Sequence, residues 1–353
     1  MAMTSPSAPK SARALGLPAT PTAVVLGGLG ALVLFAAVIA LAVGPVWIPP
    51  AQVLEVLGRH LAGGGDDDIA DRIVWMTRTP RIALALVAGA GLGIAGAALQ
   101  SVVRNDLADP YLLGVNAGAS TAVALVVLVA GGATGLALSG SALLGGLAST
   151  MLVLFLAGPA RTRGPLRVIL AGLAVGYALN AATSFLLFWS DSPEASRSVL
   201  FWLLGSLASV QLPALVASIG VSAIGIVALT WAGPYLDALA SGDDSTLSAG
   251  LDPERLRFVV IGAVSAMVGV LVAGVGGVGF IGLAVPHLAR ALVGGRHRVL
   301  IPASAALGAL FLVIADTVAR TAFAPQEIPV GVVTGVIGAP ALLLLLRRTT
   351  RTP

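Results

Sequence analysis

The chain has 353 residues, of which 57% are hydrophobic and only 10% charged, and its mean hydropathy is +0.99. A soluble domain carries about 25% charged residues, so this composition excludes a water-facing surface and puts the chain in a membrane. The net charge of +4 is small and scattered between apolar runs, which argues against a nucleic-acid partner, and the absence of cysteine excludes disulfides, thiolate metal sites and cysteine nucleophiles.

The 44 glycines suit helices that approach closely in lipid, so an all-α polytopic bundle is expected rather than a barrel of short alternating segments. Residues 1–21, rich in Pro, Ser and Ala with Lys10 and Arg13, read as a disordered cytoplasmic tail. The first apolar run ends in Ala40-Leu41-Ala42, which resembles a signal-peptidase site. The run is longer than the ~7–15-residue core of a cleaved signal and reads as an uncleaved span.

Ten spans are predicted, over 22–43, 81–103, 111–131, 135–157, 166–189, 212–233, 257–275, 280–293, 299–322 and 329–347. Most reach the ~20 residues needed to cross the hydrocarbon. The eighth is short and contains Pro286, which predicts a broken or tilted helix. Gly132, Ala133 and Thr134 predict a tight hairpin between the third and fourth, and 198–206 predicts a brief extra helix. The whole is read as one transmembrane domain, 22–348, with an outer loop 44–80, an inner loop 234–256 and a cytoplasmic tail 349–353. With both termini inside, the inner segments hold 14 of the 20 Lys and Arg residues and the outer segments 6, as the positive-inside rule requires. Asp66, Asp67 and Asp68 in the outer loop read as a solvated stretch rather than a cation site.

Two G-x-G-x-x-G matches occur, at Gly91, Gly93, Gly96 and at Gly277, Gly279, Gly282. Neither has the strand, helix and distant acid of a dinucleotide site. Gly89, Gly93 and Ala97 share one helix face, so the first match reads as helix packing, and the second as a flexible connection between spans. The only lysine is Lys10, so the chain has no Walker A loop, and any ATP must be bound by a partner. Asp316 inside the ninth span has two readings, a functional carboxylate such as a proton relay or an i,i+4 partner for Arg320. His287 reads as a packed histidine, with haem ligation the sharper alternative. A hydrolase has no support: G-x-S-x-G and H-E-x-x-H are both absent, and His60, His287 and His297 are widely separated.

Four stretches taken together carry more. They are Arg78-Thr79-Pro80-Arg81; Arg104-Asn105-Asp106-Leu107-Ala108-Asp109-Pro110-Tyr111-Leu112-Leu113-Gly114-Val115; Gly279-Phe280-Ile281-Gly282-Leu283-Ala284-Val285-Pro286-His287-Leu288-Ala289-Arg290; and Ala315-Asp316 with Arg320, Glu327-Ile328-Pro329-Val330-Gly331, Gly335 and Gly338-Ala339-Pro340. In order and spacing the chain, over roughly 22–348, resembles the permease family that imports ferric siderophores, haem and cobalamin. Asp106 departs from that pattern, where the family usually has proline.

The resemblance implies a type II ATP-binding cassette (ABC) importer permease in the bacterial cytoplasmic (inner) membrane. It implies a homodimer with one central path, two ATPase subunits beneath it and an extracytoplasmic binding protein. The chain itself would then have no catalytic residue, metal or cofactor. By position, Gly242, Asp243, Asp244, Ser245, Thr246, Leu247, Ser248, Ala249 and Gly250, followed by Leu251, are expected to form a short coupling helix for the ATPase. Arg78, Arg81 and Arg320 are expected to receive acids of the binding protein, their blander reading being headgroup anchoring. Small-residue interfaces at Gly89/Gly93 and Gly172/Gly176 are expected to let helices rock. The expected cargo is an iron chelate, ferric siderophore ahead of haem and cobalamin. The rival from another class is a proton-coupled secondary transporter built on Asp316.

Overall fold

The computed structural model describes residues 22–66, 68–131, 135–158 and 166–349. The expected tail 1–21, the turn at 132–134, Asp67 and residues 350–353 lie outside the described residues. The described structure is helical: α1 Thr22–Ala42, α2 Pro50–Leu61, α3 Ile69–Val103, α4 Val115–Leu128, α5 Gly135–Ala157, α6 Leu166–Trp189 and α7 Pro193–Leu203. Then follow α8 Leu212–Trp231, α9 Gly233–Ser241, α10 Asp243–Ser248, α11 Pro253–Val275, α12 Ile281–Val293, α13 His297–Thr321 and α14 Val330–Thr349. Among the described residues seven helices are long and apolar enough to cross a membrane, and α4, α12 and the 330–340 part of α14 are shorter apolar helices. Together they correspond to the ten predicted spans.

The outer loop, and the part of the inner loop before the expected coupling helix, are largely helical. The outer loop contains α2, and Asp68 caps α3 by accepting from the Ile69 N–H at 2.7 Å, while Asp66 pairs with Arg59 at 2.9 Å. The span predicted from 81 therefore starts at Ile69, through a π-helical turn at Arg72–Arg78. The inner loop 234–256 holds α9 and α10. The brief helix placed at 198–206 is α7, earlier by five residues at its start, because Ser192 caps it by accepting from the Ala195 N–H at 3.2 Å and Pro193 opens its first turn.

Helix α3 is the axis of the bundle. Its most apolar stretch is 83% buried, against 17% for α6, and it packs on α13, α8, α11 and α12. Small residues make this possible. A Cβ on Gly89 would collide with the Gly308 carbonyl and one on Gly308 with the Gly89 carbonyl, while Gly93 lies against the Ser304 backbone. Gly89-x3-Gly93 on α3 thus faces Ser304-x3-Gly308 on α13, backbone to backbone. Gly118 and Gly145 meet in the same reciprocal way between α4 and α5.

Gly172 follows the expected packing, lying on the Leu112 carbonyl, but Gly176 does not: nothing stands within 4 Å of a Cβ placed there. The second glycine motif also departs from expectation. Gly276 and Gly277 press on the Trp202 and Leu203 carbonyls, and the Val278 N–H donates to the Tyr111 hydroxyl at 2.9 Å, so the connection is tightly packed rather than loose.

Pro286 lies inside α12, where it removes the donor that would reach the Gly282 carbonyl. The Gln100 amide of α3 donates to that carbonyl instead, at 3.3 Å, which satisfies a group that lipid cannot. Gly96 permits the approach, since a Cβ there would overlap the Gly282 backbone.

Overpacking a tight site costs typically about 1–3 kcal/mol. Gly308→Leu is expected to lower the thermal midpoint of the detergent-solubilised protein clearly, while Gly176→Ala leaves it unchanged. Scanning fluorimetry on the two variants measures both.

Candidate functional site

Polar side chains gather at the two ends of the α3–α13 pair. At one end are Arg78, Arg81, Arg320, Asp316 and Glu327. The three arginines expected to meet a docking partner are only 4%, 7% and 3% exposed in the single chain. Arg78 donates to the carbonyls of Leu41 at 2.6 Å, Ala42 at 3.0 Å and Val46 at 2.5 Å. It caps the C-terminus of α1, where unpaired carbonyls and the helix dipole favour a cation. Gly44 leaves room for the guanidinium, which a Cβ there would strike.

Arg320 donates to the carbonyls of Ala40 at 3.0 Å and Val43 at 3.2 Å. Its Nε lies 3.1 Å from Asp316 Oδ2, a close charge contact without hydrogen-bond alignment. The reading of Asp316 as the i,i+4 partner of Arg320 therefore holds, and a second partner is added from another helix. Arg81 Nε donates to Asp316 Oδ1 at 2.9 Å, and its Nη1 reaches both Glu327 oxygens at 3.0 and 2.9 Å. Two guanidiniums, Arg81 and Arg320, thus share two carboxylates, while Arg78 is held by carbonyls alone. Of the groups in these ion pairs only Glu327 is substantially open, its side chain 39% exposed.

The opposite end is organised by two aspartates. Asp243, first in α10, pairs with Arg104 and Arg257. Arg104 ends α3 in a left-handed conformation, φ 53°, and also donates to the Leu239 carbonyl at 2.9 Å. Burial raises the Asp243 carboxyl, but the bonds and charges of Arg257 and Arg104 more than reverse this and hold it below the usual carboxylate range. Asp237 on α9 accepts from the His297 backbone N–H at 3.1 Å and bonds its ring Nδ1 at 2.6 Å. The His297 Nε2 meets Ser101 of α3. This Asp–His–Ser line is no nucleophile: Ser101 is 4% exposed, and its hydroxyl donates to the Ala97 carbonyl at 3.1 Å.

Near this end Arg290 donates to Gln100 Oε1 at 2.6 Å and pairs with Asp106 at 3.2 Å. The acid found where the family has proline therefore has a partner, and His287 sits half-buried within the reach of both charges. Among the described residues no group of three His, Asp or Glu side chains could hold a metal ion. Asp237 and the roles of Glu327 and Gln100 were missed by sequence reasoning. The one usable signal was Gln100 itself, an amide within an otherwise apolar run.

Removing one partner of a buried ion pair costs about 3–5 kcal/mol, whereas an exposed pair is worth ~0–1 kcal/mol. Asp316→Asn is therefore expected to abolish monodisperse protein in gel filtration, while Glu327→Gln elutes as the parent does.

Comparison with known proteins agrees with this arrangement along nearly the whole chain. A family model described as the FecCD transport family matches residues 32–348. The Fe(3+)-citrate import system permease protein YfmE of Bacillus subtilis is 36% identical over 331 residues, covering 92% of this chain and 94% of its own. The vitamin B12 import system permease protein BtuC of Vibrio cholerae is 36% identical, covering 90% and 92%. The iron(3+)-hydroxamate import system permease protein FhuG of Bacillus subtilis is 35% identical, covering 88% and 92%. An inward-facing structure described as a metal-chelate type ABC transporter superposes with a TM-score of 0.80 at 30% identity, over 93% of this chain and 99% of that one. The chain is a multi-pass membrane permease, and it belongs to the FecCD transport family.

Proposed function

We propose that this chain is the translocating subunit of an ATP-driven importer for an iron chelate, working as a homodimer with two ATPase subunits and an extracytoplasmic binding protein. The observation that carries this reading is the Asp243 clamp. Helix α10 is short, lies outside the apolar spans and exposes Asp244, Leu247 and Ser248. Its first residue is fastened by charge to the ends of both α3 and α11. A partner that displaces α10 thereby pulls on the axis of the bundle, which is what coupling of ATP binding to transport requires.

Orientation follows from charge. With 14 of 20 basic residues on one set of segments, the Asp243 end faces the cytoplasm, as do both termini, and the Arg81 end faces outward. The binding protein docks at the Arg81 end. Arg78 and Arg320 support that surface from beneath, and Arg81 is the guanidinium in reach, because the partly exposed Glu327 that covers it yields to a partner's carboxylate. Direct ligation of a bare transition metal has little support in a chain without cysteine and with three histidines, so the cargo is an intact chelate, ferric siderophore before haem or cobalamin. The rival proton-coupled reading has no observation in its favour: Asp316 is sealed between two guanidiniums with 0% exposure.

Three outcomes are expected. Tags at Gly164 and Pro353 should be cytoplasmic and a tag at Asp67 external; protection of Asp67 from an impermeant reagent would overturn the orientation. Replacing 242–251 with a Gly/Ser linker should give a folded permease that no longer retains its ATPase in pull-down, and surviving ATP-dependent uptake would sink the coupling role.

The third concerns pH. Asp243 has a lowered carboxyl pKa in the folded protein, so the stability it contributes is fully present above the unfolded value of about 3.9. That contribution is lost only as pH falls through the still lower folded value. ATPase retention should accordingly be level from pH 5 to 8 by pull-down in the parent, and weakened at pH 7 by Asp243→Asn.

A further inference from the structure

Helix α6 stands at the edge of the bundle and exposes Tyr177, Asn180 and Ser184, which fall on one face at spacings of three and four. The helix has 24 residues, and Asn180 is two to three residues beyond its midpoint, roughly 4 Å along the axis at 1.5 Å per residue. At that depth a lipid-facing amide is costly, since hydrocarbon offers it no partner. This face of α6 is therefore turned away from lipid, toward water or the second copy of the proposed dimer.

The seam opens into a cavity of about 180 Å³ between α6 and the start of α4, lined in part by Tyr111, Asn116, Gly172, Gly176, Tyr177 and Asn180. That space holds about half a dozen waters at ~30 Å³ each. It is too small for a whole chelate and large enough for one of its arms. Gly176 forms an open wall, with nothing within 4 Å of an added Cβ. Asn116 Oδ1 is buried and has no hydrogen-bond partner, so it asks for a donor. The Tyr111 hydroxyl already accepts from the Val278 N–H and keeps its own proton to give. Among the described residues no Asp, Glu, Lys, Arg or His lines the cavity.

We infer that this cavity is a subsite for an uncharged, amide- or hydroxyl-bearing arm of the transported chelate. Such an arm supplies the donor that Asn116 lacks and an acceptor for Tyr111 or Asn180. A carboxylate arm supplies no donor and would bring an unpaired charge to a site without a cation. The permease thus discriminates by chemistry on its own path, in addition to any selection by the binding protein. This inference rests on the importer reading above.

The test uses the complete importer in proteoliposomes with two labelled cargoes, a cyclic-peptide ferric trihydroxamate and ferric citrate. Parent, Asn116→Leu and Gly176→Leu are compared, each first checked for an unchanged gel-filtration profile and thermal midpoint. Variant-to-parent ratios are taken for each cargo, which cancels delivery by the binding protein. Both substitutions should slow trihydroxamate uptake about tenfold and leave ferric citrate within twofold, and Asn116→Gln should restore much of the loss. Equal losses for both cargoes, no loss, or a loss confined to ferric citrate would overturn the subsite.

Equilibrium binding of the same two labelled chelates to the purified permease is measured in parallel. If the parent importer moves neither cargo with ATP, the importer reading fails. The subsite is then judged on binding alone: weaker trihydroxamate retention by both variants upholds it, and retention equal to the parent's refutes it.

Discussion

The structure depends on one contact, the antiparallel crossing of α3 and α13 at backbone distance. Gly89 with Gly308 and Gly93 with Ser304 set the register, and the register then dictates what meets at either end. Moving one way along α3 brings Arg81 to Asp316; moving the other way brings Ser101 to His297. In lipid there is no hydrophobic drive to hold two helices together, so close packing and buried polar pairs must do it. The glycines permit the approach and the polar ends fix where along the helices it occurs. A slip by one residue would separate both pairs at once and leave charge uncompensated inside the protein, which makes the register unique.

The same crossing explains why the two clusters can act as one device. The Arg81 cluster ties α1, α3 and α13 together, and the Asp243 and Asp237 cluster ties α3 and α13 to α9, α10 and α11. Between them α3 is buried on nearly every side, and it runs as regular α-helix from Thr79 after the π-helical turn at Arg72–Arg78. In the coupling proposed above, α3 is the element that would carry a displacement from one end to the other as a rigid body.

Much of this was legible in the sequence. Apolar run lengths located ten helices, and the spacing of Gly89 and Gly93 identified a packing face because periodicity of 3.6 is a local property. Partners separated by hundreds of residues leave no local trace. Arg81 and Asp316 are 235 positions apart, and nothing around either says that they meet; arginines at the mouth of a span read as exposed when they are capping carbonyls of α1. Gly176 erred in the other direction, since a glycine at helix spacing from Gly172 has the pattern of a packing residue, and only the three-dimensional neighbourhood reveals open space. Gln100 lies between these cases. An amide in an apolar run must find a partner, but that the partner would be the carbonyl orphaned by Pro286 required the fold.

Asp106 shows how a single departure from a family pattern changes the character of a joint. Proline at that position would stiffen the chain after α3 by geometry, indifferent to its surroundings. An aspartate 68% exposed, paired with Arg290, holds the same junction by charge, and exposed charge pairs are screened over about 8 Å at physiological ionic strength. The linkage between α3 and α12 in this chain is thereby tied to the salt content of the compartment it faces. In concentrated electrolyte Arg290 retains Gln100 but loosens from Asp106, so the stiffness of that corner is set by the medium as well as by the backbone.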